Sequence, residues 1–392
     1  MPIRRKITWV CLVVLAAVIK VFSYYPAAVE KYYSRGVYLF TARLQRFLFG
    51  WLPFSVGDIL YFVAAVIILY RLIRLIRQLV RREAPKGWGL IVLRRMAFIL
   101  LWVYVLFNGL WGLNYNRLGI AEQLRLNVRP YSTAELHGLT NIILGQLNDL
   151  DSLSRVHRIH LTHTSFLRAE AVSAYDSLAV DDPRFSYHGA SVKPSLFSYP
   201  GLYIGFAGYY NPFTGEAQVN TLDPLVGLPY TTCHEMGHQL GYAKENEANF
   251  IGFLAARSSA SPAFQYSVYL DLYVYAVREL YVRDSALAKS FKGRLNPGVR
   301  QDLREMQQFN RRYANPLDPL IWKLYGGYLR ANRQPHGIVT YSEVTAWLIA
   351  YAKKYGLSAI KGRAGGPSGR MQLSGENTLP DRVFPDRVLP PP

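Results

Sequence analysis

His234-Glu235-Met236-Gly237-His238, continuing through Gln239-Leu240-Gly241-Tyr242-Ala243-Lys244 to Glu245-Asn246-Glu247-Ala248-Asn249, is the stretch on which the reading of this chain turns. Two histidines four apart on a helix project from one face, about a turn from each other, so both imidazoles reach a single metal ion. Glu235 is poorly placed to join them as a ligand and well placed to take a proton from a water beside the metal. An open metal site with a neighbouring carboxylate base is the equipment of a zinc hydrolase. The competing reading is a surface helix that happens to carry two histidines, and the flanking residues argue against it. Gly241, three residues past His238, offers the left-handed turn that ends a helix. A second helical pattern starts near Lys244 and runs through Ala248, Phe250, Ile251 and Leu254. It makes Glu245 and Glu247 rivals for the third ligand position, since a catalytic zinc takes three protein ligands and keeps a fourth position open. Asn249, four residues after Glu245 on the same face, is placed to hydrogen-bond the outer nitrogen of a ligand histidine.

The run Glu245 to Asn249 resembles the E-x-x-A-[DN] ligand helix of glutamate-type zincins (gluzincins), including the E-x-E-A-N form of metallopeptidases that cleave bacterial repressors. That resemblance implies Glu245 as the metal ligand and leaves Glu247 as a helix-surface charge or a substrate contact. The interval from His238 to Glu245 is shorter than in most gluzincins. It approaches the metzincin spacing, but Lys244 stands where the third histidine would be. The longer run from Cys233 to Phe250, with Asn211-Pro212-Phe213-Thr214-Gly215-Glu216-Ala217 and Tyr328-Leu329-Arg330-Ala331-Asn332, resembles a bacterial family of multi-pass membrane proteins, the domain of unknown function numbered 3810. The resemblance extends from the first hydrophobic segment to about Tyr355 and implies a gluzincin-like zinc metallopeptidase.

Three apolar segments precede the motif, at about residues 7–24, 56–75 and 96–113, each close to the roughly 20 residues that cross a bilayer. The first follows Arg4-Arg5-Lys6 and lacks a small-residue cleavage site, which favours an uncleaved anchor over a signal peptide. Between the second and third lie Arg71, Arg74, Arg77, Arg81, Arg82, Lys86, Arg94 and Arg95 against Glu83 alone. Such a loop stays in the cytoplasm, so three crossings place everything after Asn114 outside it. The expected location is a bacterial inner membrane, with the catalytic domain in the periplasm. The motif helix is too polar to lie within the bilayer.

The 392 residues carry a formal charge of +19. Much of the excess flanks apolar segments, where it meets anionic lipid headgroups, and no nucleic-acid module accompanies it. The two cysteines, Cys11 and Cys233, are too differently placed to pair. Cys233 reads as a small buried thiol, because adjacent helical residues point about 100° apart and it cannot share a metal with His234.

The expected architecture is α+β. Residues 1–113 form the membrane region, 114–358 a mostly helical zincin-like domain with a small β-sheet, and 359–392 a disordered tail. Ser132-Thr133-Ala134-Glu135 reads as a capping box opening a helix to about 153. Further helical patterns cover 263–282, 297–315, 319–331 and 342–355. Residues 202–210 and 216–220 read as strands around a turn, where an edge strand would bind substrate backbone. His157, His160 and His163 have no accompanying base and read as solvated side chains. Tyr328 and Arg330, with Tyr341 and His336 behind them, are candidates to stabilise an oxyanion. The expected activity is peptide-bond hydrolysis in the cell envelope with bound zinc. A zinc hydrolase of a non-peptide envelope amide is a rival, and so is a membrane scaffold or sensor with a structural zinc.

Overall fold

A computed structural model describes residues 3–83, 87–332 and 341–363. Helix α1 (Ile3–Phe22) ends just before Pro26, and the chain bends by 104° into a second helical limb, Pro26–Phe49. This limb contains a π-helical stretch, Val29–Val37, and helix α2 (Tyr38–Phe49). Its polar residues are taken up by the rest of the protein. Glu30 pairs with Arg117 at 2.8 Å, Gln45 Nε2 donates to the Pro212 carbonyl at 3.0 Å, and the Tyr38 hydroxyl donates to the Gln239 carbonyl at 2.9 Å.

Helices α3 (Val56–Val80) and α4 (Trp88–Leu110) are both long and apolar enough to cross a membrane, and almost none of their apolar surface is covered by protein. The bent pair containing α1 counts as a third span only if its two limbs are taken together. Trp9 stacks near Phe98 at 5.3 Å, while Leu12 and Ile19 cluster with Leu101 and Val105, so α1 runs parallel to α4. Both α3 and α4 outrun the expected segments, to Val80 at one end and from Trp88 at the other. Arginine is a good helix former, so α3 continues through Arg71, Arg74 and Arg77. The third segment, expected to reach 113, ends as α-helix at Leu110. Trp111 breaks away at φ −158° into a 3-10 turn, Gly112–Asn116.

Beyond this turn the chain is mostly helical. The expected capping box is present, Ser132 and Glu135 closing the start of α5 (Thr133–His157). Helix α6 (Thr164–Asp181) leads to strand β1 (Val192–Pro194), helix α7 (Ser198–Ile204), strand β2 (Gly208–Asn211) and strand β3 (Glu216–Val219). The sheet order is β1-β3-β2, with β1 parallel and β2 antiparallel to the buried central β3. Residues 202–204, expected as strand, are the last turn of α7. Tyr199 and Tyr203 pair at 5.7 Å across that turn, and Gly205 at φ 79° stops it, so the extended stretch starts only at Gly208. Helices α8 (Leu228–Gln239), α9 (Glu245–Ser258), α10 (Pro262–Arg283), α11 (Ser285–Gly293), α12 (Pro297–Tyr313), α13 (Asp318–Ala331) and α14 (Tyr341–Tyr355) follow. The core is built from α5, α6, α8, α9 and α10, with Cys233 buried inside it.

His157 closes α5, His160 lies in a 3-10 turn and His163 precedes α6, so the three do not share a helical face. Residues 359–363, expected in the tail, are packed. Ile360 is buried, its carbonyl accepts from the Tyr269 hydroxyl, and Arg363 pairs with Asp181 at 2.7 Å. The rest of the expected tail and His336 lie outside the described residues.

Two buried carboxylates fasten the start of α3 to the sheet. Glu216 accepts from the Val56 and Gly57 amides at 3.1 and 2.6 Å and from the Thr214 hydroxyl at 2.9 Å. Asp58 accepts from the Leu196 amide at 2.7 Å and from the Tyr209 hydroxyl. Anions at a helix N-terminus meet unsatisfied N–H groups and the positive end of the helix dipole. Replacing Glu216 with Gln is expected to lower stability by about 1.5–3 kcal/mol, the worth of a charge-assisted hydrogen bond. Thermal unfolding of the detergent-solubilised chain measures it; an unchanged melt would show that the anchor contributes nothing.

Candidate metal centre

Helix α8 ends where the sequence predicted, with Gly241 at φ 82° and the Tyr242 amide returning to the Gly237 carbonyl at 3.2 Å. This left-handed turn folds α9 back across α8. Gly252 sits so close to the His234 backbone that a Cβ would lie 3.1 Å from it. The reversal carries Glu245, at the first turn of α9, to the histidine face of α8.

Glu245 Oε2 lies 3.3 Å from His234 Nε2, and its Oε1 lies 3.8 Å from His238 Nε2. The imidazole planes are nearly perpendicular, at 88°, with centroids 4.8 Å apart. Each ring is held from behind. His234 Nδ1 donates to Asn249 Oδ1 at 2.7 Å, and His238 Nδ1 donates to the Tyr242 carbonyl at 2.8 Å. A proton fixed on Nδ1 leaves the Nε2 lone pair for a metal. Two donors about 2.0–2.1 Å from one tetrahedral ion stand about 3.3 Å apart, which is the His234–Glu245 separation. The donor set, two imidazoles and a carboxylate, fits zinc.

Ligand-type atoms of His234, Glu235 and His238 also lie within 4.8 Å of one another, so proximity alone would admit Glu235 as a ligand. Its surroundings favour another role. Glu235 is buried beneath β2, where a Cβ on Gly208 would lie 2.7 Å from Glu235 Oε1, and its Oε2 has no hydrogen-bond partner among the described residues. Burial pushes its carboxyl up to about 8. His238 is pushed down to about 4 by burial. Burial also works against a charge on His234, but hydrogen bonding to Glu245 and the two nearby carboxylates overcome it and raise His234 to about 9. Glu245, buried yet hydrogen-bonded to His234 and close to His238, is lowered to about 2.

Glu247 is neither a surface charge nor near the histidines. It is buried, and Oε1 accepts from the Ile120 amide at 3.3 Å and from Lys244 at 3.5 Å. A carboxylate two residues from Glu245 points to the opposite side of the helix, and here that side meets the segment after α4. Tyr328 does approach the centre: its hydroxyl is 3.0 Å from that of Tyr115, and both phenols lie within electrostatic reach of Glu245. Arg330 is exposed two positions further along α13, on the other side of that helix.

Three neighbours escaped the sequence reading. The Trp111 indole donates to the His238 carbonyl at 3.0 Å and stands edge-on to its ring at 6.0 Å. Tyr325 hydrogen-bonds Glu245. Asp271 of α10 is coupled electrostatically to His234, and burial pushes its carboxyl up to about 7. The spacing of Tyr325 and Tyr328, three apart on one helical face, was the available signal for Tyr325.

Fold and centre together define a class: a largely helical protein with two apolar helices of membrane-spanning length and a buried His–Glu–His cluster at the domain end of one of them. Residues 33–349 match the family described as Protein of unknown function (DUF3810), and the chain belongs to that family. No curated protein and no solved structure matches it.

Proposed function

We propose that this chain is a membrane-anchored zinc metallopeptidase whose zincin-like domain faces the outside of the cytoplasm. The observation that carries the reading is the pair of Nε2 atoms on the Glu245 carboxylate, with both Nδ1 protons held outward and the unpartnered Glu235 Oε2 alongside. His234, His238 and Glu245 would hold the ion. A zinc ion bound there supplies Lewis acidity toward a water and a peptide carbonyl.

The chain's own residues do the rest. Glu235 accepts the proton of the attacking water and returns it to the leaving amine. Its carboxyl holds a proton up to about pH 8 in the metal-free cavity, and a divalent charge nearby brings it into its ionised, basic form at neutral pH. The outer edge of β2 carries no partner strand among the described residues. A substrate strand pairing there would lie beside Glu235, whose carboxyl packs against Gly208 where a side chain would otherwise stand. The Tyr328 phenol, within electrostatic reach of Glu245, would be the donor to a developing oxyanion.

Membrane topology follows the arginines. They gather at the far end of α3 and the start of α4, while Ser55 and Trp111 at the opposite ends touch the domain. The positive-inside rule therefore supports a cytoplasmic arginine loop and a periplasmic domain in an inner membrane, with α1 as a third span parallel to α4. Location points to envelope proteins or peptides as substrates.

The test uses the full chain in detergent, since Trp111, Tyr38 and Glu30 tie the anchor to the catalytic part. One zinc per chain and chelator-sensitive cleavage of a peptide library are expected. Zinc without cleavage would move the reading to a scaffold or sensor, and no metal would overturn it. Asn249→Ala, which frees His234 Nδ1, is expected to weaken zinc binding tenfold to about a hundredfold without changing stoichiometry at saturation. Competition with a chromophoric chelator reads this directly, and unchanged affinity would show that Asn249 does not orient the ligand.

A further inference from the structure

We propose that α13 is an interfacial helix, lying in the headgroup region of the leaflet on the domain side and dipping its apolar stripe into an anionic bilayer. Leu317, Leu320 and Leu324 recur at intervals of three and four and form one line along its first turns. That line faces outward. Leu320 is 54% exposed and Leu324 65%, whereas Leu329 on the other side is buried against the protein. Exposed Lys323 lies beside the stripe, where its cationic head can stay with lipid phosphates while its stem lies along the apolar layer. With 14 residues α13 is about 21 Å long, too short to span and suited to lie in the plane of the membrane.

Continuity with the spans identifies the occupant as lipid. The Leu196 amide binds Asp58 in the first turn of α3, and α7 follows at once with exposed Tyr199 and Ile204. Helix α7 in turn meets α13: Asn315 Nδ2 donates to the Tyr203 carbonyl at 2.8 Å, and Gly205 lies under the Trp322 ring. Exposed apolar residues of α3, α7 and α13 are thus carried on elements that touch one another in turn. An exposed apolar surface of this extent beside a membrane span marks a membrane contact. This inference stands whether or not the centre is catalytic.

Spin labels on single cysteines in a Cys11→Ser background test it, with the full chain in nanodiscs of mixed neutral and anionic lipid. Leu320→Cys and Leu324→Cys are the probes, and Leu153→Cys and Val282→Cys, on exposed positions of α5 and α10, are the references. Oxygen and nickel-chelate collision rates at Leu320 and Leu324 are expected to place the labels about 5–10 Å below the phosphates, while both references collide freely with nickel. Nickel access at the probes equal to that at the references would overturn the proposal. So would shielding from both reagents together with spin–spin broadening, which would mean that a second copy covers the stripe.

Discussion

Glu235→Gln is expected to lower turnover by a factor of about 10² to 10⁴, the range for loss of a general base, while the protein keeps one zinc per chain. The two parts of that expectation come from different atoms. Zinc retention follows because the proposed ligand set lies on Nε2 of His234 and His238 and on Glu245, and none of these bonds to Glu235. The loss of turnover follows because Glu235 Oε2, beside the histidines, has no hydrogen-bond partner among the described residues and can accept a proton. Glutamine fills the same space under Gly208, but it cannot take the proton. Burial already favours the neutral form of this side chain, so the substitution is expected to raise thermal stability slightly if it changes it at all. Metal analysis and kinetics on the same preparation separate the outcomes. A variant that loses zinc as well would make Glu235 a ligand, which the 4.8 Å grouping with the histidines allows on distance alone. A variant that keeps both zinc and activity would remove the base from the mechanism.

What the sequence disclosed about this centre was what short-range geometry dictates. Histidines four apart, a glycine able to adopt a left-handed turn and an asparagine one turn beyond a glutamate are all local facts. Each survives in the folded chain as His234, His238, Gly241 and Asn249. The capping box at Ser132 was legible for the same reason. The failures are of two kinds. In residues 202–204 an alternating aromatic pattern also satisfied the four-residue helical pairing of Tyr199 with Tyr203, and the stop at Gly205 decided between them. Elsewhere the deciding contact is remote in the chain. Glu247 is buried by Ile120, Trp111 reaches His238 across the end of a membrane-length helix, and Tyr325 arrives from α13. Hydropathy located the two helices of membrane-spanning length, α3 and α4, because a run of about 20 apolar residues is a local feature of the sequence. It misplaced the end of the third because an interfacial tryptophan looks apolar whether it faces lipid or a histidine.

The two glutamates that spacing left unresolved are separable by experiment, and pH supplies the sharper test. In the metal-free centre His234 holds its proton up to about pH 9 because Glu245 faces it, while His238, pushed down to about 4, is already neutral at pH 6. Zinc must displace the His234 proton. Below about pH 9, each unit of acidification therefore weakens apparent zinc affinity about tenfold, so the wild type binds about a hundredfold more weakly at pH 6 than at pH 8. Glu245→Gln removes a ligand and the group that raises His234. Its zinc affinity is expected to fall by more than the hundredfold that bounds loss of an outer-shell partner. Its slope between pH 7 and 9 is expected to flatten, because His234 then titrates lower. Glu247→Gln should leave both affinity and slope intact, since Glu247 bonds to Ile120 and Lys244 and not to the histidines. Its amide can still accept from the Ile120 N–H, so its effect on the thermal melt should be small. Zinc titrations of the three proteins at pH 6, 7, 8 and 9 decide the matter. Loss of zinc in Glu247→Gln with retention in Glu245→Gln would reverse the ligand assignment. A flat wild-type profile would mean that no proton leaves His234, and that the carboxylate facing it is not what a metal displaces.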